Sequence, residues 1–308
     1  MVLMFFPKLK KHPILIKNNT MKILKTMKKS KMNSQPLKTI SKLFLLLFTT
    51  ISSASCTNDD NANIKKSPVV LVHGAWQASY VWDQTEKDLK AAGYNVTVVK
   101  LPGHGDDTTP AYQVSFQAYV DEVKKAVNAY NEPVILIGHS LGGAVITQTA
   151  AEVPQKIKKL IYVAGFIPQS GKSVLDYSQM DVASLLPPSL KLSDDQTLAG
   201  IVNPEVNLPK IFAQDATDAQ KQFLVSKYKA EPTIPLGTPL TYKTEDYNLG
   251  GKKYYIFTTA DNTITYNFQQ KMAKEAGITD TYTINSGHSP FISKSAELTK
   301  LIKEIITK

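Results

Sequence analysis

The clearest chemical signal in the sequence is a serine held between two glycines. Residues 138–142 read G-H-S-L-G and follow the apolar run 134–137. An apolar strand, then G-x-S-x-G, then a helix is typical of a sharp turn that raises a serine hydroxyl above a sheet. Gly138 and Gly142 are expected to leave room for this turn because neither carries a Cβ. We therefore predict that Ser140 is a nucleophile.

A serine hydroxyl is a weak nucleophile unless a neighbouring base takes its proton. Among the five histidines, His288 follows the predicted strand 281–284, where a final loop could deliver such a base. His139 adjoins the serine and is expected to point elsewhere. The remaining three are assigned to the front of the chain and to loops: His12, His73 and His104. His288 is the predicted base.

Asp261 is the candidate for the acid that orients the base. It follows the predicted strand 254–259, and the chain order Ser, Asp, His suits a triad at one edge of a sheet. An Asp-Asn pair such as 261–262 is also good turn chemistry. A turn or cap role therefore stays open as the alternative.

Two backbone N–H groups are expected to stabilise the oxyanion formed by attack at a carbonyl. Leu141 opens the predicted helix, whose dipole favours negative charge. Ala75 lies in the loop after the apolar strand 69–72, within H-G-A-W at 73–76. We assign the oxyanion hole to the N–H groups of Ala75 and Leu141. No P-loop, G-x-G-x-x-G or metal-ligand spacing occurs, so the mechanism is predicted to need no cofactor and no metal.

Short β-rich runs alternate with helix-length amphipathic segments from residue 68 onward, which predicts a mainly parallel sheet flanked by helices. Residues 68–308 are assigned to one domain. Segment 168–251 interrupts the alternation and holds eight of the 17 prolines. A structureless loop of that length is rare inside a domain, so we predict a mostly helical lid. Its apolar side chains suggest a small to medium apolar substrate.

The formal net charge of +10 is concentrated at the front of the chain. Residues 1–55 contain 11 of the 36 lysines and no acidic residue, so the remainder carries a net charge of about −1. All basic residues are lysine, which removes the arginine forks that clamp phosphate. We expect no nucleic-acid partner.

The front of the chain has the order of a secretory signal: lysines, the apolar run 43–48, then small residues before Cys56. The apolar run is too short to span a bilayer. Residues 1–56 are predicted to be a signal or lipoprotein-type targeting segment, and 57–67 a linker. Cys56, the only cysteine, resembles a bacterial lipidation site. Lipid anchoring and a soluble exported protein are the two alternatives, and both predict export.

Several segments together resemble the α/β-hydrolase superfamily, and within it plant methylesterases, hydroxynitrile lyases and related bacterial esterases. The segments are 73–76, 101–105, 138–143, 160–168 and 287–291. The resemblance spans about 68–306 and implies the α/β-hydrolase fold, with the lid between the sixth and seventh strands of that fold. It implies a carboxylesterase that works through an acyl-enzyme.

Two other functions stay open. Hydroxynitrile lyases resemble this chain in layout, but they carry a lysine directly after the catalytic histidine, where this chain has Ser289. A non-catalytic small-molecule binding protein on the same scaffold is the second alternative, because a fold alone does not fix a function.

Overall fold

The computed structural model describes residues 66–308. Nine strands occur there: β1 Val69–Val72, β2 Val96–Val99, β3 Val134–His139, β4 Ile157–Val163, β5 Leu190–Leu192, β6 Leu198–Ile201, β7 Glu231–Pro232, β8 Lys252–Thr258 and β9 Asp280–Ile284. Six of them form a fully parallel sheet in the order β2-β1-β3-β4-β8-β9. The carboxyl ends of these strands therefore meet at one edge.

Eleven α-helices accompany the strands in this part of the chain. They are α1 Asp83–Ala91, α2 Phe116–Asn128, α3 Leu141–Glu152, α4 Val174–Met180, α5 Pro204–Phe212, α6 Asp218–Ser226, α7 Thr233–Gly237, α8 Thr244–Leu249, α9 Tyr266–Glu275, α10 Pro290–Ser293 and α11 Ser295–Thr307.

The main sheet is buried on both faces because successive side chains of a strand point to opposite sides. In β1, Val70 and Val72 join the cluster that contains α2, α3 and α9. Val69 and Leu71 join the cluster formed with α1 and α11. This is the predicted sheet flanked by helices, and the fold-class prediction is confirmed.

The segment between β4 and β8 contains five helices, α4 to α8, and a second, antiparallel sheet in the order β5-β6-β7. The predicted position of the lid was given in the strand numbering of the complete α/β-hydrolase fold. The sixth and seventh strands of that numbering correspond to β4 and β8, the fourth and fifth strands of the main sheet along this chain. The small sheet was not predicted. Its strands have only two to four residues, too few for an alternating pattern to stand out from turns. We call residues 168–251 the lid.

The beginning of β4 is not visible in the apolar pattern of the sequence. The strand starts at Ile157, before the apolar run 160–167, and Lys158 and Lys159 interrupt the pattern there. The Nζ of Lys159 donates to the carbonyl oxygens of Ile305 and Ile306, so this lysine lies in a buried strand with its charge on a helix C-terminus.

The targeting segment 1–56, including Cys56, and residues 57–65 of the predicted linker lie outside the described residues. Within 66–308, no helix is both long enough and apolar enough to cross a membrane.

Candidate active site

Ser140 lies at the turn between β3 and α3, with φ 54° and ψ −122°. A left-handed φ is costly for a residue with a Cβ and persists only when the surroundings enforce it. A Cβ on Gly138 would lie 2.5 Å from the carbonyl oxygen of Gly142, and one on Gly142 would lie 2.6 Å from that of His73. Both glycines are therefore required by packing at the places the sequence predicted.

The two predicted oxyanion donors belong to residues next to the serine. Leu141 is the first residue of α3, where N–H groups have no partner within the helix. Ala75 follows β1, and both residues line one cavity together with Ser140. Within residues 66–308, neither N–H is hydrogen-bonded. Two unpaired donors beside a serine hydroxyl are what an oxyanion needs.

Asp261 and His288 come together from the ends of β8 and β9. The Nδ1–H of His288 donates to Oδ2 of Asp261 at 2.8 Å, and both side chains are buried. Asp261 also accepts hydrogen bonds from the N–H groups of Thr263 and Ile264, at 2.7 and 2.9 Å. These contacts hold the carboxylate as an acceptor, so one residue both closes the turn and bonds the histidine ring.

The other ring nitrogen of His288, Nε2, is buried and has no hydrogen-bond partner among residues 66–308. The structure records no hydrogen bond between this atom and the Oγ of Ser140; such bonds are often longer in the free enzyme and tighten with substrate. The Nδ1 bond to Asp261 places the proton on Nδ1, which leaves Nε2 with a lone pair. His288 can therefore accept a proton at Nε2.

His139 packs against His288 and does not point away from the site as the sequence analysis expected. The two rings lie 4.6 Å apart, and the Nε2–H of His139 donates to the backbone oxygen of His288 at 2.8 Å. Burial, and then proximity to His288, hold the pKa of His139 well below its usual value. His139 is thus a neutral donor that fixes the backbone of the base.

His73 and His104 form a second histidine pair, with ring centroids 4.8 Å apart. Burial, followed by the neighbouring His104, lowers the pKa of His73 to about 3. Burial also acts to lower the pKa of His104, but the carboxylate of Glu231, 2.8 Å from its Nε2, outweighs it and the pKa is raised. His104 and Glu231 therefore form a buried ion pair.

The cavity at Ser140 is almost entirely apolar. Besides the site residues Ala75, Ser140 and Leu141, it is lined by Trp76, Phe166, Val174, Leu175, Ser178, Leu186, Leu190 and Leu236. Its volume is about 20 Å³, roughly enough for one water molecule. No charged side chain of the described residues lines it.

Two features of this region were not predicted from the sequence: the burial of Glu231 beside His104, and the contact between His139 and His288. A glutamate before a proline in the lid carries no local mark of burial, so no signal distinguished Glu231 from a surface carboxylate. The contact of His139 could have been suspected, because a histidine next to the nucleophile lies close to the loop that carries the catalytic base.

A strained serine turn, two free backbone donors and a buried Asp–His pair at the carboxyl edge of a parallel sheet define the hydrolase class of α/β proteins. Residues 69–301 match the model of the alpha/beta hydrolase family. The chain belongs to this family, which confirms the resemblance and the predicted class of enzyme.

The named proteins that this chain resembles share only about a quarter of its residues in the aligned regions. The chain is 25% identical to putative methylesterase 12 of Arabidopsis thaliana, over 79% of this chain and 72% of that protein. It is 26% identical to the alpha-hydroxynitrile lyase of the same plant, over 79% and 98%. An extracellular α/β-hydrolase from a Paenibacillus species superposes with a TM-score of 0.66 at 25% identity, over 77% and 98%.

Proposed function

We propose that this protein is a serine hydrolase that cleaves a neutral carboxylic ester with a small to medium apolar acyl group. The observation that carries the proposal is the buried His288, which is bonded to Asp261 at Nδ1 and has an unpaired Nε2. A base so oriented can activate a serine without a metal or cofactor. Similarity to a methylesterase supports an ester substrate.

The proposed reaction assigns one step to each of these groups. The Oγ of Ser140 attacks the ester carbonyl while its proton passes to Nε2 of His288, and the N–H groups of Ala75 and Leu141 bind the oxyanion. The alcohol leaves with the proton from His288, which produces the acyl-enzyme. Water then attacks the acyl group with His288 again as base, and the carboxylic acid leaves as Ser140 regains its proton.

The cavity supports an uncharged, apolar acyl group. A carboxylate or ammonium on the acyl chain would be buried among leucines without a partner, at a cost of several kcal/mol. Since the cavity holds roughly one water molecule, an acyl chain has to displace lid side chains such as Leu190 and Leu236. Short acyl chains need the smallest displacement.

The test uses the mature chain, residues 57–308, with p-nitrophenyl acetate, butyrate and octanoate and a fluorophosphonate probe. We expect turnover and labelling in the wild type, and loss of both in Ser140→Ala. Labelling that survives in Ser140→Ala would rule out this nucleophile. Binding of esters without turnover would favour the binding-protein alternative.

Carbon–carbon lyase activity is the competing chemistry, because one relative is an alpha-hydroxynitrile lyase. In this chain Ser289 occupies the position after His288, is fully buried, and accepts a hydrogen bond from Nε2 of Gln77 at 2.9 Å. No lysine lines the cavity in the described residues. We expect no cyanide release from mandelonitrile; release at a rate comparable to ester hydrolysis would favour the lyase.

Export of the protein, with or without a lipid anchor at Cys56, is part of the same proposal. It rests on the lysine, apolar and small-residue order of residues 1–56. Expression of the full chain in a bacterial host with radiolabelled palmitate distinguishes the alternatives. Label lost in Cys56→Ala indicates a lipoprotein, an unlabelled periplasmic protein indicates a soluble one, and retention in the cytoplasm contradicts export.

A further inference from the structure

Trp76, the residue after the oxyanion donor Ala75, has a strained backbone with φ 57°. It is held by two strands of the lid. Its backbone N–H donates to Oε2 of Glu231 in β7 at 2.9 Å, and its indole N–H donates to the carbonyl oxygen of Ala199 in β6 at 2.8 Å. A left-handed tryptophan needs such external support.

Glu231 is completely buried and accepts three hydrogen bonds. Besides the N–H of Trp76, its carboxylate takes one from Nε2 of His104 at 2.8 Å and one from the hydroxyl of Tyr119 at 3.3 Å. A buried carboxylate is costly unless it is paired and hydrogen-bonded, and the ion pair with His104 supplies the pairing. A buried carboxylate acceptor is therefore fixed beside the loop 73–76, which carries the oxyanion donor Ala75.

Contacts on both sides of Ala75 restrict where its N–H can point. On one side, Gly74 is packed so closely that a Cβ there would lie 2.7 Å from the Cβ of Ser140. On the other side, Glu231 holds the N–H of Trp76. The Glu231 bond fixes the rigid peptide plane between Ala75 and Trp76. The N–H of Ala75 belongs to the preceding plane, so it can turn only by rotation at Ala75 itself, and the close packing of Gly74 limits that rotation.

We infer that Glu231 is a positioning residue for catalysis: through the N–H of Trp76, this buried lid carboxylate aims the N–H of Ala75 at the oxyanion. The lid sheet is then a fixed part of the oxyanion hole and not a flap that opens as a whole. The inference rests on the proposed serine-hydrolase function, because it needs an oxyanion at Ala75.

Two substitutions separate positioning from folding. Glu231→Leu removes the acceptor, whereas Glu231→Gln keeps an oxygen for the N–H of Trp76 and loses the charge. Tyr228→Phe is the matched control, because it removes a different lid hydrogen bond, from the N–H of Ile201 to the Tyr228 hydroxyl at 2.7 Å. The control leaves both bonds of Trp76 in place.

The measurements are kcat and KM for p-nitrophenyl butyrate, inhibition by a trifluoromethyl ketone and by the matching methyl ketone, and thermal unfolding. Loss of one oxyanion donor lowers kcat on the order of a hundred-fold. We expect a loss of about that size in Glu231→Leu and of at most about three-fold in Glu231→Gln, whose amide oxygen still accepts from the N–H of Trp76, with KM within about three-fold in both. Affinity for the trifluoromethyl ketone, which forms the oxyanion, falls by a similar factor, and methyl ketone affinity does not.

A merely structural residue would lower the unfolding temperature while the folded enzyme kept its kcat. The inference is overturned if folded Glu231→Leu keeps kcat and trifluoromethyl ketone affinity within about two-fold of wild type, or if Glu231→Gln or Tyr228→Phe loses as much as Glu231→Leu. If Glu231→Leu does not fold, Glu231→Asp takes its place, because the shorter side chain withdraws the acceptor from the N–H of Trp76 and keeps the charge. Failure of the proposed function is separate, because it shows as activity retained in Ser140→Ala.

Discussion

The side chain of His139 donates a hydrogen bond from Nε2 to the backbone oxygen of His288 at 2.8 Å, and the two rings lie in contact. The residue before the nucleophile thus holds the loop that carries the base. The fully buried His139 makes this contact in the neutral state, since burial and His288 depress its pKa. The positions of the serine and the histidine are linked through one side chain.

Loss of this donor should affect turnover more than binding. In His139→Leu we expect kcat to fall on the order of ten-fold, because the freed loop misplaces Nε2 of His288. His139→Gln keeps an N–H of similar reach and should stay within about three-fold of wild type. Steady-state kinetics on p-nitrophenyl butyrate checks this. Equal losses in the two variants would mean that the hydrogen bond is not what matters.

Turnover should require both the negative charge of Asp261 and the hydrogen bonds that its two carboxylate oxygens accept. In Asp261→Asn an NH₂ group must face a donor, either the His288 ring or the N–H groups of Thr263 and Ile264. We expect kcat to fall by about 10³- to 10⁴-fold. Asp181→Asn is the control: Asp181 is a buried carboxylate bonded to Thr265, with no contact to the base. It should lose stability while keeping kcat within a few-fold.

The serine turn should not tolerate a methyl group at Gly142. A Cβ there meets two backbone oxygens of β1 and the following loop, at 2.6 and 2.8 Å, and backbone cannot swing aside. We expect Gly142→Ala to lower the free energy of unfolding by about 3 kcal/mol or more. Gly237→Ala, where a Cβ meets nothing within 4 Å, should change it by less than about 1 kcal/mol. Urea denaturation of both variants measures the difference.

Stability should fall in mild acid because two buried histidines stay neutral. The pKa of His73 is lowered to about 3 and that of His139 well below its usual value, whereas an unfolded histidine titrates near 6.5. Between these values the unfolded chain binds the extra protons, so the free energy of unfolding decreases as pH falls. Each histidine contributes at most about 1.4 kcal/mol per pH unit. Because an unfolded histidine is not yet fully protonated at pH 6, the pair contributes about 2.4 kcal/mol between pH 6 and 5.

Urea denaturation at pH 7, 6 and 5 measures this slope, and His73→Gln should reduce it by about half. His104 adds little slope between pH 6 and 5, because its raised pKa makes its contribution nearly complete below 6.5. Above 6.5 that contribution is lost as pH rises, which opposes the slope of the two neutral histidines between pH 6 and 7. If His73→Gln leaves the pH dependence of the unfolding free energy unchanged, the assignment of that dependence to the buried neutral histidines is wrong.

Much of the main sheet could be predicted from the local pattern of apolar and turn residues. The strand predicted at 69–72 is β1 as observed, and the apolar run 134–137 before the serine turn lies in β3. Such elements are readable because apolar periodicity and turn residues are properties of neighbouring positions. The small lid sheet was not readable, because β7 has two residues and pairs with β6 some thirty positions away.

The lid side chains near the serine also depend on tertiary structure. Composition left open which apolar lid residues reach the substrate site and which pack the lid against the core: Phe223 is 42% exposed, and Phe212 packs between Trp76 and His288. The cavity wall is made instead by leucines such as Leu186 and Leu236. Composition indicated an apolar site, but only the folded chain selects which residues form it.

By itself, the sequence determined the turn that carries Ser140 and the alternation that builds the sheet, since both are written in contiguous residues. Tertiary structure alone decided that Asp261 meets His288 across 27 positions and that Glu231 meets Trp76 across 155. The physical reason is that strand order in a sheet, not spacing along the chain, brings distant side chains together. A carboxylate that becomes buried looks in sequence like one that stays in water.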